Sequence, residues 1–583
     1  MQQQQQQQAN SSSSSPAASS SSHAAAAILA AASWLPWWPS RTRSCAARRA
    51  LPAVCVAAAV ATAVIVLTAD GGWWGRAPDE MPASLFSDDP RDWEPPPSNI
   101  TADHLLDGLL TADFSFESCR SRYEFAGYHK KSSHKPSPYL IAKLRKQEAL
   151  QKRCGPGTTT YENAVRRLDS GEGVGGDDGC RYLVYISYRG LGNRMLAITS
   201  SFLYAVLTER VLLVDGGRDA GELFCEPFPG TTWLLQLAGA GWFSPLRSLQ
   251  GYLGGSKQSL GNMLQSGGPV SVSADGNVSW SAPRPPTYLY VHLAGRYGFH
   301  DSLFFCGAHQ RLLGEVPWLF LWTDNYIVPG LFLTPPFRGE LEAMFPEKDA
   351  VFYHLGHYLF HPANPVWHAV TRYYWSNLAG AARRVGVQIR VFQKNQPPQA
   401  VLDQLLSCVR GEGLLQETTT VAANGTSSSD TAVLVTSLSS WYYERLRDEY
   451  GGGVHQPSHE GRQRWHNAAH DMRALSEMVL LSMCDELVTS GYSTFGYVAQ
   501  GLAGLRPWVM TRAPMWADDW TEGLDPREPC PRAISVEPCF HSPSAYDCAA
   551  GRDVELDKVT PYIRHCVDVK WGIKLVNESS SQW

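Results

Sequence analysis

Between Arg181 and Asp215 the chain passes through an apolar run, a glycine turn, a long segment with apolar faces and a second apolar run. Arg181-Tyr-Leu-Val-Tyr-Ile-Ser187 reads as a buried strand, Gly190-Leu-Gly-Asn-Arg194 as a turn, Met195 to Leu207 as a helix, and Val211-Leu-Leu-Val-Asp215 as a second strand. A strand–helix–strand unit this short demands a parallel sheet covered by helices.

The alternation returns later. Val385-Gly-Val-Gln-Ile-Arg-Val-Phe392 and Ala432-Val-Leu-Val-Thr436 read as strands, with a short helix near Tyr442. Asn467 to Met483 has helical apolar spacing at Met472, Leu475, Met478 and Val479. Glu486-Leu-Val-Thr-Ser490 is a strand, Gly491-Tyr-Ser-Thr-Phe-Gly496 a turn, and a helix follows through Leu502. Residues 410–430 read as a polar surface loop, and no internal repeat is visible. The expected class is α/β, two Rossmann-like doubly wound halves facing a cleft, with ligands at the carboxyl ends of the strands. A charged fraction of 18% beside 20 Trp, 24 Tyr and 20 Phe excludes a disordered or coiled-coil chain. A net charge of −5 gives no footing for nucleic acid.

The head differs. Residues 2–22 are Gln, Ser and Ala runs, and Arg41, Arg43, Arg48 and Arg49 follow. Leu51 to Ala69 carries no charge and as a helix would span about 28 Å, close to a bilayer core. Seven acids and two arginines lie between Asp70 and Glu94, so positive-inside logic puts the N-terminus in the cytosol. A cleaved signal peptide would lie nearer Met1; a plastid transit peptide is the stronger rival, because no acid precedes Asp70. The expected organisation is a cytosolic tail (1–50), a transmembrane anchor (51–69), a Pro-rich stem (70–104), an N-terminal α/β domain (105–345) and a C-terminal α/β domain with a Cys-rich tail (346–583).

Sequons at Asn99, Asn277, Asn424 and Asn577 favour the secretory side. The thirteen cysteines contain no Cys-x-x-Cys pair, so neither zinc nor redox chemistry is indicated. Cys530, Cys539, Cys548 and Cys566 would be staples in an oxidising compartment. Eleven cysteines follow the anchor, so at least one is free or paired outside the chain.

Both glycine turns join a strand to a helix, which aims backbone N–H groups and the helix dipole at an anion. Gly190-x-Gly192 lacks the third glycine of a dinucleotide fingerprint and also reads as a plain tight turn. Ser493 and Thr494 add hydroxyl donors, though either also serves as an ordinary N-cap. Arg390, in an apolar strand, suits a diphosphate clamp or an ion pair with a structural acid. Glu477 could accept from guanine N1–H and N2–H; a solvated helix face is the plain alternative and Asp471 the rival acid. No Asp-x-Asp pair exists to hold a metal on a diphosphate. His466 and His470 are spaced i, i+4 without the Glu of a zincin helix. His292, Arg296, His300 and Asp301 are candidates for a base acting on a sugar hydroxyl.

These residues resemble the plant fucosyltransferase family that contains the xyloglucan α-1,2-fucosyltransferases. The resemblance runs from about Leu105 onward through Glu117-Ser-Cys119-x-Ser121-Arg-Tyr123, His134-Lys-Pro-Ser-Pro-Tyr139 and Lys152-Arg-Cys-Gly-Pro-Gly157. It continues through Gly190-Leu-Gly-Asn-Arg194, Leu223-Phe-Cys-Glu-Pro-Phe-Pro-Gly230 and Thr323-Asp-Asn-Tyr326. His354-Leu-Gly-His-Tyr-Leu-Phe-His-Pro362, Ile389-Arg-Val-Phe392 and Ser490-Gly-Tyr-Ser-Thr-Phe-Gly496 complete it.

The resemblance implies a GT-B-like fold in a single-pass type II Golgi membrane protein, with its catalytic domain lumenal. It implies transfer of L-fucose from GDP-β-L-fucose to a galactose hydroxyl with inversion, without a metal or other cofactor. It allows a homodimer. Arg390 matches the diphosphate-contacting arginine. Tyr492, Ser493, Thr494 and Phe495 match the second phosphate-side motif, and Gly190, Gly192, Asn193 and Arg194 the first. Glu477 falls where an acid recognises guanine. Two departures stand out: Gly295-Arg-Tyr-Gly298 replaces His-Asp-Tyr-Gly, and Gln236 replaces proline. Asp301 keeps the family's acid and is the expected base or acceptor contact. Xyloglucan galactose and arabinogalactan-protein sugars are both acceptors in keeping with this family, and a catalytically silent glycan-binding protein is the reading from another class.

Overall fold

The computed structural model describes residues 105–577, apart from 130–132, 172–178, 217–219, 253–254, 269, 273–277, 393–397, 416–430, 460, 465–466, 512–528 and 544–559. The expected tail, anchor and stem, His466, most of the 410–430 loop and the sequons at Asn99, Asn277 and Asn424 lie outside these residues. Among the described residues no helix is long and apolar enough to cross a membrane.

Strands β1 (Tyr182–Ile186) and β2 (Val211–Asp215) are followed by a hairpin of β3 (Val270–Val272) and β4 (Val278–Trp280), then by β5 (Tyr288–Leu293) and β6 (Trp318–Thr323). The first sheet is all parallel, in the order β2-β1-β6-β5. The second comprises β7 (Arg383–Ile389), β8 (Thr431–Ser437), β9 (Val454–His455), β10 (Glu486–Ser490) and β11 (Trp508–Met510). It too is all parallel, in the order β11-β10-β7-β8-β9.

Alternation along β1 shows how these strands are buried on both faces. Leu183 and Tyr185 point into one apolar cluster, and Tyr182, Val184 and Ile186 into another. The first cluster is shared with Leu434 and Leu487 of the second sheet. Between the sheets it is filled by α1 (Leu191–Leu207), α2 (Val351–Leu359), α3 (Ala468–Ser482) and α4 (Thr494–Ala503), which supply Met195, Phe352, Leu475 and Val498. One apolar core thus joins the two α/β halves.

Helix α1 begins at Leu191, not Met195, so Gly190 is its N-cap and Gly192 lies in its first turn. Likewise Thr494 opens α4. Arg390 lies one residue beyond β7, at its carboxyl end, and a helix over Pro398–Gly411 takes the start of the expected loop.

The chain after β11 laces the halves together. Glu537 is fully buried and accepts from Tyr326 Oη (2.6 Å) and from Phe352 N (2.7 Å). Burial pushes its carboxyl up to about 8. Disulfides join Cys119–Cys225, Cys154–Cys180, Cys408–Cys530 and Cys539–Cys566, and Cys306 is also disulfide-bonded. Cys484 is a buried free thiol, so an odd cysteine is indeed left over. The side-chain oxygen of Asn577 accepts from Lys348 N (3.0 Å).

The run His354–Pro362 puts three histidines inside the core. His354, His357 and His361 are buried, and His129 packs edge-on against His357 at 5.6 Å. Burial holds His129 down to about 4, His354 and His357 down to about 3, and His361 well below the usual imidazole value. These groups stay neutral in the folded chain but take up protons near pH 6.5 once unfolded, so stability falls as pH drops below 6.5. A histidine held at about 4 loses on the order of 2 kcal/mol of stability by pH 5. The melting temperature should therefore drop steadily from pH 7.5 to pH 5. A flat profile, or one rising toward acid, would contradict this.

Candidate functional site

The carboxyl ends of β1, β7, β8 and β10 open on one cleft of about 480 Å³ between the halves. Two helix N-termini meet there. A methyl group added to Gly192 would sit 2.9 Å from Thr494 Oγ1 and 3.0 Å from Phe495 N, so only glycine lets α1 and α4 approach this closely. Thr494 Oγ1 donates to Asn193 Oδ1 (3.2 Å), and Asn193 Nδ2 donates to the Asp324 carbonyl (3.2 Å). Neither helix is capped by its own N-cap side chain. The first-turn N–H groups of both are thus left for an anion.

Each turn is entered through a strained residue. Arg189 (φ 71°) precedes Gly190 and Tyr492 (φ 61°) precedes Ser493. The left-handed region costs a non-glycine residue on the order of 1–2 kcal/mol, so neighbours must hold it. Tyr492 N donates to Asp568 Oδ2 (2.7 Å), and its ring stacks on His541 at 4.3 Å. Arg189 Nε donates to Asp324 Oδ2 (3.3 Å), while Asp324 Oδ1 accepts from Gly295 N (2.7 Å).

Arg390 lines the cleft beside these turns. Its backbone N donates to Ser490 Oγ (2.9 Å), its Nη2 donates to Gln463 Oε1 (2.8 Å), and its guanidinium lies 5.2 Å from the Phe392 ring centroid. Burial lowers its pKa. Among the described residues its partner is a neutral amide, not a structural acid. Glu477, buried on α3, lines the same cleft and accepts from Ser458 Oγ. Thr436, Ser437 and Leu438 at the end of β8 also line the cleft.

Gly190, Gly192, Asn193, Arg390, Glu477, Tyr492, Ser493, Thr494 and Phe495 all line this one cleft. Arg194 does not. One turn into α1, it pairs with Asp471 of α3, which does line the cleft, and so ties the two helices together. That pairing also engages Asp471, the rival to Glu477. Asp301 is absent from the lining as well: its Oδ2 accepts from Gly298 N (3.3 Å) as the cap of a four-residue helix. His292 pairs with Tyr290 Oη (2.7 Å) outside the cleft, whereas Arg296 and His470 line it.

Sequence reasoning assigned no role to Asp324, Gln463, His541 or Trp571, which also line the cleft. Asp324 had a readable signal, a polar residue directly after a fully buried strand. His541 and Trp571 come from the tail, and only the tertiary fold brings them here.

The profile described as "Xyloglucan fucosyltransferase" matches residues 86–549. Galactoside 2-alpha-L-fucosyltransferase of Arabidopsis thaliana is 46% identical over 492 residues, covering 82% of this chain and 84% of that protein. Its namesake from Pisum sativum is 46% identical over 490 residues, covering 82% of each. The solved structure of an Arg-to-Lys variant of Arabidopsis thaliana FUT1 in complex with GDP is 46% identical, with a TM-score of 0.70, over 81% of this chain and all of that one. Cleft, turns and relatives agree: the chain belongs to the xyloglucan fucosyltransferase family.

Proposed function

We propose that the protein transfers L-fucose from GDP-β-L-fucose to O2 of a galactose residue on xyloglucan, inverting the anomeric centre and using no metal. The carrying observation is the meeting of two uncapped helix N-termini beside Arg390. That combination suits a diphosphate and supplies its counter-charge from the chain itself. The two α/β halves fit a GT-B arrangement, with the donor held mainly by the second half.

In this reading the two-donor edge of guanine meets the carboxylate of Glu477, beside its bond to Ser458. The diphosphate lies between Arg390 and the first turns of α1 and α4. As C1–O cleaves, negative charge grows on the GDP oxygen, where these donors stabilise it. Positive charge spreads over the fucose ring, and the galactose hydroxyl attacks from the face opposite the leaving group, giving the α-linkage. Pre-set donors of this kind need no reorganisation as charge moves.

Arg296, exposed on the first half's wall, favours a second acceptor reading, an arabinogalactan glycan carrying acidic sugars. The internal segment Leu51–Ala69, the disulfides and the sequons support a Golgi type II location with the cleft in the lumen.

Three outcomes are expected. Arg390→Ala should lower kcat by about 10²–10³ with an unchanged melting temperature; retained turnover removes Arg390 from the mechanism. Glu477→Gln should weaken GDP far more than IDP, since inosine lacks the second donor; calorimetry with both nucleotides checks this. Radiolabelled transfer by the fragment after Ala69, with EDTA present, should appear on galactosylated xyloglucan when arabinogalactan oligosaccharides are offered beside it. Transfer only to the latter selects the second reading, and loss of transfer on EDTA addition ends the metal-free one.

A further inference from the structure

We propose that His541 is the general base of the transfer, taking the proton of the attacking galactose hydroxyl through Nδ1 while Tyr497 and Asp568 position its ring. The inference rests on the fucosyl-transfer reading above.

The geometry sets the tautomer. Tyr497 Oη lies 2.6 Å from Asp568 Oδ2, which also accepts from Tyr492 N, so the phenol proton is committed to the carboxylate. The same phenol oxygen lies 3.1 Å from His541 Nε2 and must accept there. Nε2 therefore carries the hydrogen, and Nδ1 carries the lone pair. The ring forms part of the cleft wall, and no described residue bonds Nδ1.

The position suits a base. His541 stacks on Tyr492, at the mouth of the phosphate turn. Its carbonyl accepts from Trp571 Nε1 (2.9 Å), and the next carbonyl, Ser542 O, accepts from Tyr297 Oη of the first half (2.5 Å). Residues 541 and 542 thus lie in the cleft where the second half meets Tyr297 of the first. The other titratable acceptors of the cleft are engaged or elsewhere. Asp324 is held by Gly295 N and Arg189, Asp471 pairs with Arg194, and Glu477 and His470 sit on α3.

In the step, the galactose O2 forms its bond to C1 while the C1–O bond to GDP breaks and its electron pair leaves with the phosphate. The O2 proton moves to Nδ1, giving an imidazolium that faces Asp568 and, farther off, Asp324; it passes to solvent as products leave. Burial holds the imidazole down to about 4, against the pull of both carboxylates, so the ring is neutral and ready at every physiological pH. A weak base suffices, because the hydroxyl becomes strongly acidic only once its oxygen has bonded to an oxocarbenium-like carbon.

The test uses the lumenal fragment and three variants. His541→Ala should lower kcat by about 10²-fold, leave KM and the GDP-induced rise in melting temperature within threefold of native, and regain activity with added imidazole. His541→Gln, which keeps a donor toward Tyr497 but has no basic nitrogen, should fold and bind GDP while losing kcat equally. Tyr497→Phe should lower kcat by about tenfold and move the acid limb of the pH–rate profile. Native-like turnover in either His541 variant overturns the proposal, as does joint loss of GDP binding and activity in both, which would mark the ring as structural. Absence of transfer by the native fragment would instead count against the fucosyl-transfer reading.

Discussion

The contact between Gly192 and the Thr494 turn is the constraint on which the site depends. A single methyl group at Gly192 would push α1 and α4 apart by meeting backbone as well as a hydroxyl. Because both helices also fill the core between the sheets, their approach sets the spacing of the two halves. The anion-binding donors are therefore a by-product of the main packing decision in the fold. This differs from a site built on loops, where local mobility would blur the positions of the N–H groups.

The strain at Arg189 and Tyr492 belongs to the same device. Each residue turns the chain sharply enough to aim a helix at the cleft, and each is restrained by a carboxylate from a distant element, Asp324 or Asp568. The pair of turns is symmetrical in logic although the sequences share little. One reads Gly-Leu-Gly-Asn-Arg and the other Gly-Tyr-Ser-Thr-Phe-Gly.

Much of this was legible in the residues. Buried parallel strands announce themselves as uninterrupted apolar runs, and Val211–Asp215 and Glu486–Ser490 fall where they were read. The glycine and hydroxyl turns carried their chemistry locally, so their meeting at one cleft needed only the assumption of a doubly wound architecture. Arg194 falls outside the cleft lining because it sits one turn into α1, where helical rotation brings it to Asp471 of α3. Asp301 also falls outside the lining, because an acid three residues after Gly298 serves as a helix cap, a use that composition cannot distinguish from catalysis. The role of residues 533–577 was illegible in principle. Their value lies in contacts such as Glu537 with Tyr326 and Asp568 with Tyr492, which no periodicity encodes.

That tail has an implication for how the molecule comes into being. Synthesis is vectorial, and residues 529–577 emerge after every strand of both sheets has been made. Until they arrive, Tyr326 and Tyr492 lack their acidic partners, Cys408 lacks Cys530, and the cleft lacks part of its wall. The nascent chain can collapse early, yet it cannot hold a finished binding site. Closure of Cys408–Cys530 and Cys539–Cys566 can only follow synthesis of this tail, so both bonds form after every strand of the two sheets has been made.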